Sequence, residues 1–415
     1  MTADRLRVFV NERAVDVARG ATIADAVAAL DTGLAGLIAT GAYVTDAAGR
    51  TVDATDVIGE AGAVFRVIVP AGARPPGRLS KAELRRWPKA ELHVHLDGSL
   101  RPETLLELAR EAGVRLPADT PDALARALAT GSGSLEAYLA RYDVTLSVMQ
   151  TAAALERVAY EFVLDVAKES VRYVEVRYSP LLHPTLSLAD ALEAPLRGIA
   201  RGSAETGTRV GVIVCAIRTQ APARSLDLAQ AAADYRGMGV VGFDLAGAER
   251  GHRASDHRAA FAFAAQHGLA CTCHAGEGDG PESIHEALHV CGATRIGHGT
   301  RLGEDPALLA DVVERRIPLE MCLTSNVHTR SVSAPAAHPF RRYLEQGVIV
   351  TLNTDGRLVD GVTLTDEYYV AHTVLGLERK ELERVTLNAF ESAFLPEYER
   401  VALLARVQEE LEGLQ

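Results

Sequence analysis

The sequence predicts an α/β protein in which a (β/α)8 TIM barrel follows a small α+β domain. Eight short apolar runs alternate with longer helical stretches over the last ~330 residues, as in a barrel of eight β/α units. Polar side chains follow several of these runs directly. A Pro- and Gly-rich stretch after residue 70 separates the barrel from a segment of different pattern.

Residues 1–70 have the pattern of a small α+β module. Alternating apolar residues predict strands, and a threonine before an apolar helical stretch predicts an N-cap. The predicted elements are strands at Leu6–Val10 and Ala14–Val17 around a turn at Asn11 and Glu12, a helix at Ile23–Leu30 capped by Thr22, and a strand at Val64–Val69.

Residues 71–80 form a predicted linker, and residues 81–415 form the predicted barrel. Most apolar runs of the barrel are continuous rather than alternating, which is typical of strands buried on both faces. The helical stretch Leu155–Lys168 has its apolar residues on one face. The eight predicted strands are Glu91–His95, Tyr173–Arg177, Val210–Ala216, Val240–Asp244, Leu269–His274, Thr294–His298, Leu319–Cys322 and Val348–Thr354.

The bulk composition excludes several classes of function. The chain has 415 residues, 48% hydrophobic and 24% charged, with a formal net charge of -12. This acidity argues against nucleic-acid binding, and no apolar run is long enough to span a membrane. The five cysteines are odd in number and do not form a disulfide framework, so we expect a cytoplasmic protein.

Metal-binding side chains stand at the ends of three predicted strands. His93 and His95 form a His-x-His pair that points to one face of its strand, while His274 and Asp355 end two other strands. Barrel enzymes place their sites at these carboxyl ends. A lone strand histidine is usually structural, but four such groups together are costly to bury without a metal, and zinc suits this donor set.

The other histidines divide into two groups. His298 ends the sixth predicted strand, close to the metal, where it could hold or deprotonate an attacking water. His183, His285 and His289 are weaker candidates for a metal site. His285 and His289 stand four residues apart on a helix with no third ligand nearby, and we expect them to be surface or capping residues. Glu277 follows His274 by three residues and is placed to donate a proton.

The second domain resembles the adenosine deaminase family over nearly its whole length. The resemblance is carried by Lys89–Gly98, Ala159–Phe162, Val171–Pro180, Gly242–Gly247, His274–Glu277, Arg295–Gly299, Asn353–Asp355 and Asn388–Pro396. It implies hydrolysis of a carbon–nitrogen bond in a cyclic amidine, with adenosine and 2′-deoxyadenosine as substrates in purine salvage. It also implies one zinc ion per subunit and a purine nucleoside as the small-molecule partner, with a homo-oligomer left open.

The resemblance also implies roles for individual residues. Zinc would be held by His93, His95, His274 and Asp355. Glu277 would donate the proton and His298 would orient the attacking water. The implied substrate contacts are His95, Asp97 at the ribose 5′-hydroxyl, the Gly247 amide at purine N3, a lid of Leu135, Tyr138, Leu139 and Tyr142 (whose helical spacing equally fits an ordinary core stripe), and Ser325 lining the site.

Two features extend or depart from this resemblance. Residues 1–70 resemble the β-grasp domains of small sulfur-carrier proteins. Gly356 follows Asp355 where well-known family members carry a second aspartate that contacts purine N7. A modified 6-aminopurine nucleoside, such as 6-aminodeoxyfutalosine or an N6-substituted adenosine, is therefore an alternative substrate, and a non-catalytic binding protein is a further alternative.

Overall fold

The computed structural model describes residues 5–38, 42–47, 51–68, 79–129 and 133–414. The chain divides into two compact units, Met1–Arg78 and Leu79–Gln415. Most of the predicted linker, residues 71–78, lies outside the described residues. Within the described part of the chain, no helix has both the length and the apolarity needed to cross a membrane.

The first unit is a mixed five-stranded sheet with two helices, as the α+β prediction requires. In order along the sheet the strands are β2-β1-β5-β3-β4, with β1 parallel to β5 and the other pairs antiparallel. This order agrees in part with the β-grasp expectation. The elements are β1 Arg5–Val10, β2 Arg13–Ala18, α1 Ile23–Leu30, α2 Thr32–Ile38, β3 Tyr43–Asp46, β4 Thr51–Val52 and β5 Val64–Ile68.

Local chemistry explains the first two turns of this unit. Asn11 and Glu12 both have positive φ, 46° and 66°, which is the geometry of a two-residue turn between twisted strands. Thr22 caps α1 as predicted: its hydroxyl accepts a bond from the Asp25 amide at 3.1 Å, and the Asp25 carboxylate accepts one from the Thr22 amide at 2.8 Å. Apolar residues from the sheet and α1 form the core of the unit.

The second unit contains eight parallel strands in chain order, which confirms the predicted barrel. Each predicted run coincides with a strand, and their ends differ by two residues or fewer. The strands are β6 Lys89–His95, β7 Val171–Tyr178, β8 Arg209–Ile217, β9 Val240–Ala246, β10 Ala270–Ala275, β11 Arg295–His298, β12 Pro318–Met321 and β13 Ile349–Leu352.

Helices of the second unit connect the strands and extend beyond the last one. The predicted helix Leu155–Lys168 is confirmed as α8. The helices are α3 Lys81–Arg86, α4 Pro102–Ala112, α5 Pro121–Ala129, α6 Leu135–Leu139, α7 Tyr142–Leu146, α8 Ala152–Ala167, α9 Leu188–Thr206, α10 Pro222–Asp234, α11 Arg258–Gln266, α12 Pro281–His289, α13 Pro306–Glu314, α14 Leu323–His328, α15 Phe340–Glu345, α16 Arg357–Asp360, α17 Leu364–Thr373, α18 Arg379–Glu391 and α19 Glu397–Glu412.

The interior of the barrel contains a fully buried network of charges. Arg177 on β7 reaches Asp244 on β9 at 2.9 Å and Glu320 on β12 at 2.7 Å. Arg295 on β11 contacts the same Glu320 at 2.7 Å. Because β7 and β12 are not neighbours in the sheet, these bonds cross the barrel interior. Buried charges are tolerated when they are paired and hydrogen-bonded in this way.

Two minor expectations have definite outcomes. All five cysteines are buried free thiols, as expected of a chain without disulfides. His285 and His289 are exposed on α12 as expected. His183, by contrast, is buried, and its Nδ1 lies 2.9 Å from the Met149 carbonyl oxygen.

Candidate active site

Closure of the barrel brings Asp355 between His93 and His95. Asp355 lies just beyond β13 and pairs in parallel with Val94 of β6. Its amide donates to the His93 carbonyl at 3.0 Å, and the His95 amide donates to the Asp355 carbonyl at 2.6 Å. Asp355 has a φ of 64°, a backbone conformation that non-glycine residues rarely adopt and that is often found at functional sites.

Three imidazole nitrogens and one carboxylate face each other at this end of the barrel. His95 Nε2 lies 3.1 Å from His274 Nε2 and 3.4 Å from the Asp355 carboxylate. His93 Nε2 lies 3.7 Å from the same carboxylate, is buried, and has no hydrogen-bond partner. A buried nitrogen without a partner is costly unless a ligand completes it. This donor set therefore fits a bound cation, and nitrogen ligands with one carboxylate suit zinc.

Buried carboxylates orient the imidazoles of His93 and His274. Glu320 lies 2.9 Å from His93 Nδ1, and Asp244 lies 3.0 Å from His274 Nδ1. Arg177 bonds to both carboxylates and holds them apart across the barrel. Each imidazole therefore turns its Nε2 toward the shared centre, as histidine ligands of metals commonly do.

Electrostatics favour the neutral, metal-binding form of His93 and His95. Burial and the Arg177 charge hold the pKa of His93 well below its usual value. Burial and the neighbouring His274 do the same to the pKa of His95. Neutral imidazole is the form that binds metals.

A second group of ligand atoms overlaps the first. His93 and Asp355 also lie close to His298 and Cys322, and all four ligand atoms lie within 4.8 Å of one another. Burial raises the pKa of the Cys322 thiol well above its usual value, which disfavours the thiolate that binds metals. The predicted ligand set offers three imidazole nitrogens instead of a protonated thiol.

Glu277 is held beside this centre as a buried acid. Burial, reinforced by Asp355, raises the pKa of its carboxyl group well above the usual value. One carboxyl oxygen, Oε1, accepts bonds from Asn326 at 3.1 Å and from Thr329 at 2.9 Å. The other, Oε2, lies 3.4 Å from His298 Nε2. A carboxyl group whose pKa is raised in this way is suited to donate a proton.

The loop that carries Glu277 is fixed by a residue that sequence reasoning missed. The Glu249 carboxylate accepts bonds from three consecutive backbone amides, those of Gly276 at 2.6 Å, Glu277 at 3.0 Å and Gly278 at 2.6 Å. Glu249 follows the fourth barrel strand by only three residues, so its position relative to a strand end was the available signal.

A cavity of about 280 Å³ opens beside these groups, near the lower end of the range for small-molecule sites. Gly247 is on its wall with a φ of 102°, where a side chain would be strained. Asp97 is also on the wall, and burial raises the pKa of its carboxyl group to about 7. Leu135, Tyr138, Leu139 and Tyr142 line the cavity together with His95, His274, Glu277, His298 and Asp355.

Ser325 is not on this wall. It is fully buried, and its hydroxyl donates a 2.6 Å bond to the Asp355 carboxylate. Its position favours orienting the carboxylate over contacting a substrate directly.

Two tyrosine hydroxyls occupy the space next to Gly356. A Cβ added to Gly356 would lie 2.7 Å from the Tyr142 hydroxyl and 3.1 Å from the Tyr138 hydroxyl. The Tyr138 hydroxyl donates a 2.8 Å bond to Asp360, whose carboxylate also accepts a bond from the Gly356 amide at 3.3 Å. Polar groups from α6, α7 and α16 therefore surround Gly356 and leave no room for a side chain at this position.

Gly297, next to His298, is required by the packing of His93. A Cβ at this position would lie 2.9 Å from the His93 ring and 3.2 Å from the His274 Cα. His298 itself has a φ of 65° and is buried, so its side chain enters the site from a strained backbone. Burial lowers the pKa of His298 to about 3, which keeps this ring neutral.

Comparisons with known proteins agree with this geometry. The family model described as adenosine deaminase matches residues 88–410. An adenosine deaminase from Mycobacteroides abscessus is 42% identical over 345 residues, which cover 79% of this chain and 95% of that protein.

Solved structures are similar over the same region. An adenine deaminase from Arthrobacter aurescens superposes with a TM-score of 0.72 at 28% identity, over 78% of this chain and 99% of that one. The N6-mAMP deaminase of Arabidopsis superposes with a TM-score of 0.70 at 28% identity, over 79% of this chain and 99% of that one.

Proposed function

Because the chain belongs to the adenosine deaminase family and is a hydrolytic deaminase, we propose that it converts adenosine and 2′-deoxyadenosine to inosine and 2′-deoxyinosine. The proposed reaction releases ammonia and serves purine salvage. The observation that carries the proposal is a cluster of three histidines and Asp355 that fits a metal ion, with the buried acid Glu277 beside it on the wall of a cavity of about 280 Å³.

The proposal includes one zinc ion held by His93, His95, His274 and Asp355. The unpartnered His93 Nε2 and the 3.1 Å separation of the His95 and His274 Nε2 atoms support it, since a cation would satisfy all of these atoms together. When bound, zinc lowers the pKa of a water molecule toward ~7 and makes hydroxide available at neutral pH.

Glu277 supplies the acid that a purine needs. Carbon C6 is a weak electrophile, and a proton placed on ring nitrogen N1 makes it accept an oxygen nucleophile. Burial beside Asp355 raises the pKa of the Glu277 carboxyl group and so favours its protonated form, which donates to N1 as the new C6–O bond forms. The C6–N bond then breaks: the amino group takes one proton of the attacking water and leaves as ammonia, and the other proton of the water replaces the one that Glu277 gave to N1.

The remaining cavity residues bind and orient the nucleoside. Asp97 accepts or donates a bond at the ribose 5′-hydroxyl, and the Gly247 amide faces purine N3. Leu135 and Leu139 cover the apolar faces of the base and exclude water from the reacting carbon.

The charge of the cavity favours a nucleoside over a nucleotide. Four carboxyl side chains line it, those of Asp97, Asp143, Glu277 and Asp355. Among the described residues, no lysine or arginine lines it. A phosphate group carries close to two negative charges at neutral pH and is usually bound by arginine, lysine or a helix N-terminus. A 5′-phosphate near Asp97 would therefore find no cationic side chain among the described residues of the cavity wall to bind it.

A substrate panel followed by ultraviolet absorbance tests the proposal. The zinc-loaded protein should deaminate adenosine and 2′-deoxyadenosine, with kcat/KM at least about 100-fold higher than for AMP or N6-methyl-AMP. Preferred turnover of N6-methyladenosine or 6-aminodeoxyfutalosine would show that the substrate is a modified nucleoside rather than adenosine. Failure to convert any 6-aminopurine would contradict the proposal.

A further inference from the structure

His338 and Asn326 connect a backbone amide to the two reactive side chains of the site. His338 lies between α14 and α15, is buried, and does not line the cavity. Asn326 lies on α14 and contacts His338, Glu277 and His298 at once. Because each hydrogen bond has one donor and one acceptor, the direction of the first bond in this chain fixes all the others.

The series of hydrogen bonds begins at the backbone amide of Phe340. Its backbone amide donates to His338 Nδ1 at 3.2 Å, and a backbone N–H can only donate. His338 Nδ1 therefore carries no proton. Burial lowers the pKa of His338 to about 3, so the ring is neutral and its single proton is on Nε2.

The next hydrogen bond in the series joins His338 to Asn326. His338 Nε2 donates to Asn326 Oδ1 at 3.1 Å, which fixes the orientation of the amide. The amide nitrogen Nδ2 then faces the site with two hydrogens. One is directed to Glu277 Oε1 at 3.1 Å, and the other to His298 Nδ1 at 3.0 Å.

From this chain of bonds we infer that His338 and Asn326 are positioning residues that hold His298 as the tautomer protonated on Nε2. His298 Nδ1 is an acceptor, so its Nε2–H points toward the cavity, 3.4 Å from Glu277 Oε2. An Nε2 that carries a proton has no lone pair to accept another. On the proposed deamination, His298 therefore orients the attacking water by donating a hydrogen bond and does not deprotonate it.

The same bonds orient Glu277. Its Oε1 accepts from Asn326 and from the Thr329 hydroxyl, which fills the acceptor sites of that oxygen. Oε2 is thus the oxygen that turns toward the substrate. One asparagine fixes the direction of both reactive groups, although it does not line the cavity itself.

Nitrogen NMR of the ring tests the inference without any reaction. The full-length, zinc-loaded protein is labelled with ¹⁵N-histidine, and the His298 signals are identified by their loss in a His298→Asn variant. We expect a protonated Nε2 and an unprotonated Nδ1 at neutral pH. A proton on Nδ1 would overturn the inference.

Two substitutions test whether Asn326 and His338 set this state. Asn326→Asp replaces the donor by an acceptor, so the His298 proton should move to Nδ1, and kcat should fall about 10–100-fold while KM changes less. His338→Gln keeps both a donor for Asn326 and an acceptor for the Phe340 amide. It should keep the Nε2–H tautomer and most of kcat, whereas His338→Phe should lose both.

The outcomes separate the inference from the proposed function. If Asn326→Asp keeps the Nε2–H tautomer and full kcat, the inference is wrong even though deamination stands. If the wild-type protein carries the Nε2–H tautomer but converts no adenosine, the proposed function is wrong and the tautomer assignment stands. If Asn326→Asp does not fold, as judged by circular dichroism, the pair His338→Gln and His338→Phe decides.

Discussion

Glu277 combines two properties that a catalytic acid needs, a raised pKa and a fixed direction. Burial beside Asp355 raises the pKa of the carboxyl group, and Asn326 and Thr329 hold one of its oxygens. A glutamine at this position keeps the shape and an oxygen acceptor but cannot give up a proton of comparable acidity. The role of Glu277 can therefore be separated from the binding of metal and substrate.

For Glu277→Gln we expect unchanged zinc content and similar affinity for a ground-state purine nucleoside, with kcat about 10²–10⁴-fold lower. Zinc analysis and steady-state kinetics on adenosine measure this. Glu314→Gln, at an exposed glutamate at the end of α13, is the matched control and should leave both values unchanged. Full activity of Glu277→Gln would refute the assignment.

Gly356 stands where the resemblance to the family leads us to expect a second aspartate. Its missing side chain is matched by the hydroxyls of Tyr142 and Tyr138, which an added Cβ would meet at 2.7 Å and 3.1 Å. Gly356→Ala should push the Tyr142 ring into the cavity and lower kcat/KM for adenosine by at least about tenfold, with a smaller effect on Tm.

Removing the Tyr142 hydroxyl tests whether crowding of this hydroxyl causes the loss of kcat/KM in Gly356→Ala. The double variant Gly356→Ala, Tyr142→Phe should recover part of the kcat/KM that Gly356→Ala loses, measured relative to Tyr142→Phe alone. Gly59→Ala is a control, since nothing lies within 4 Å of a Cβ built there. Equal losses in the single and double variants would show that crowding of Tyr142 is not the cause.

At the scale of elements, the loop after β10 depends on one carboxylate. Glu249 accepts three successive amides around Glu277, and no other side chain bonds to these three amides among the described residues. In Glu249→Gln one oxygen becomes an NH2 group, which cannot accept, so one or two of these amides lose their partner. The loop would then hold Glu277 less firmly.

For Glu249→Gln we predict a fall in kcat that exceeds the change in KM, because the acid is misdirected rather than removed. Steady-state kinetics with zinc analysis measure this. Asp279→Asn lies in the same loop and is the control, since its amide oxygen can still accept the bond from the Gly280 amide. A variant of Glu249 with wild-type kcat would show that the loop does not need the hydrogen bonds of this carboxylate to position Glu277.

The elements differ in how far the sequence could predict them. All eight barrel strands were predictable, because buried parallel strands have continuous apolar runs with distinct ends. The strand-end residues His93, His95, His274 and Asp355 were predictable for the same reason. The strands β3 and β4 were not identified, because Tyr43–Asp46 and Thr51–Val52 are too short to show a clear pattern of alternating apolar residues.

Residues that act through others were the ones missed. Glu249 and Asn326 lie far in the chain from the groups they hold, and Arg177 appeared only as part of a motif. Their roles follow from bonds across the barrel, which residue spacing does not encode. The positive φ of His298 and Asp355 likewise depends on tertiary packing and has no local sequence signal.

At the scale of the whole molecule, every site residue belongs to the second unit, Leu79–Gln415. The family model also matches only residues 88–410. We therefore expect a protein lacking residues 1–78 to keep its zinc and to retain kcat/KM for adenosine within a few-fold. Kinetics and size-exclusion chromatography of the full-length and shortened proteins measure this.

A large loss of kcat/KM in the shortened protein, with normal folding and zinc content, would contradict that expectation and assign the β-grasp-like unit a part in substrate binding. A change of oligomer size alone would assign it a part in assembly. In either case the barrel would still supply the reacting groups.

The central claim is that one metal centre, built from three histidines and Asp355, supports deamination of adenosine. Its most direct test is to remove the metal with a chelator, confirm its removal by elemental analysis, and follow the adenosine absorbance band before and after zinc is returned. We predict that the metal-free protein is inactive and that about one zinc ion per chain restores full activity. Deamination by the folded, metal-free protein at the original rate would contradict the claim.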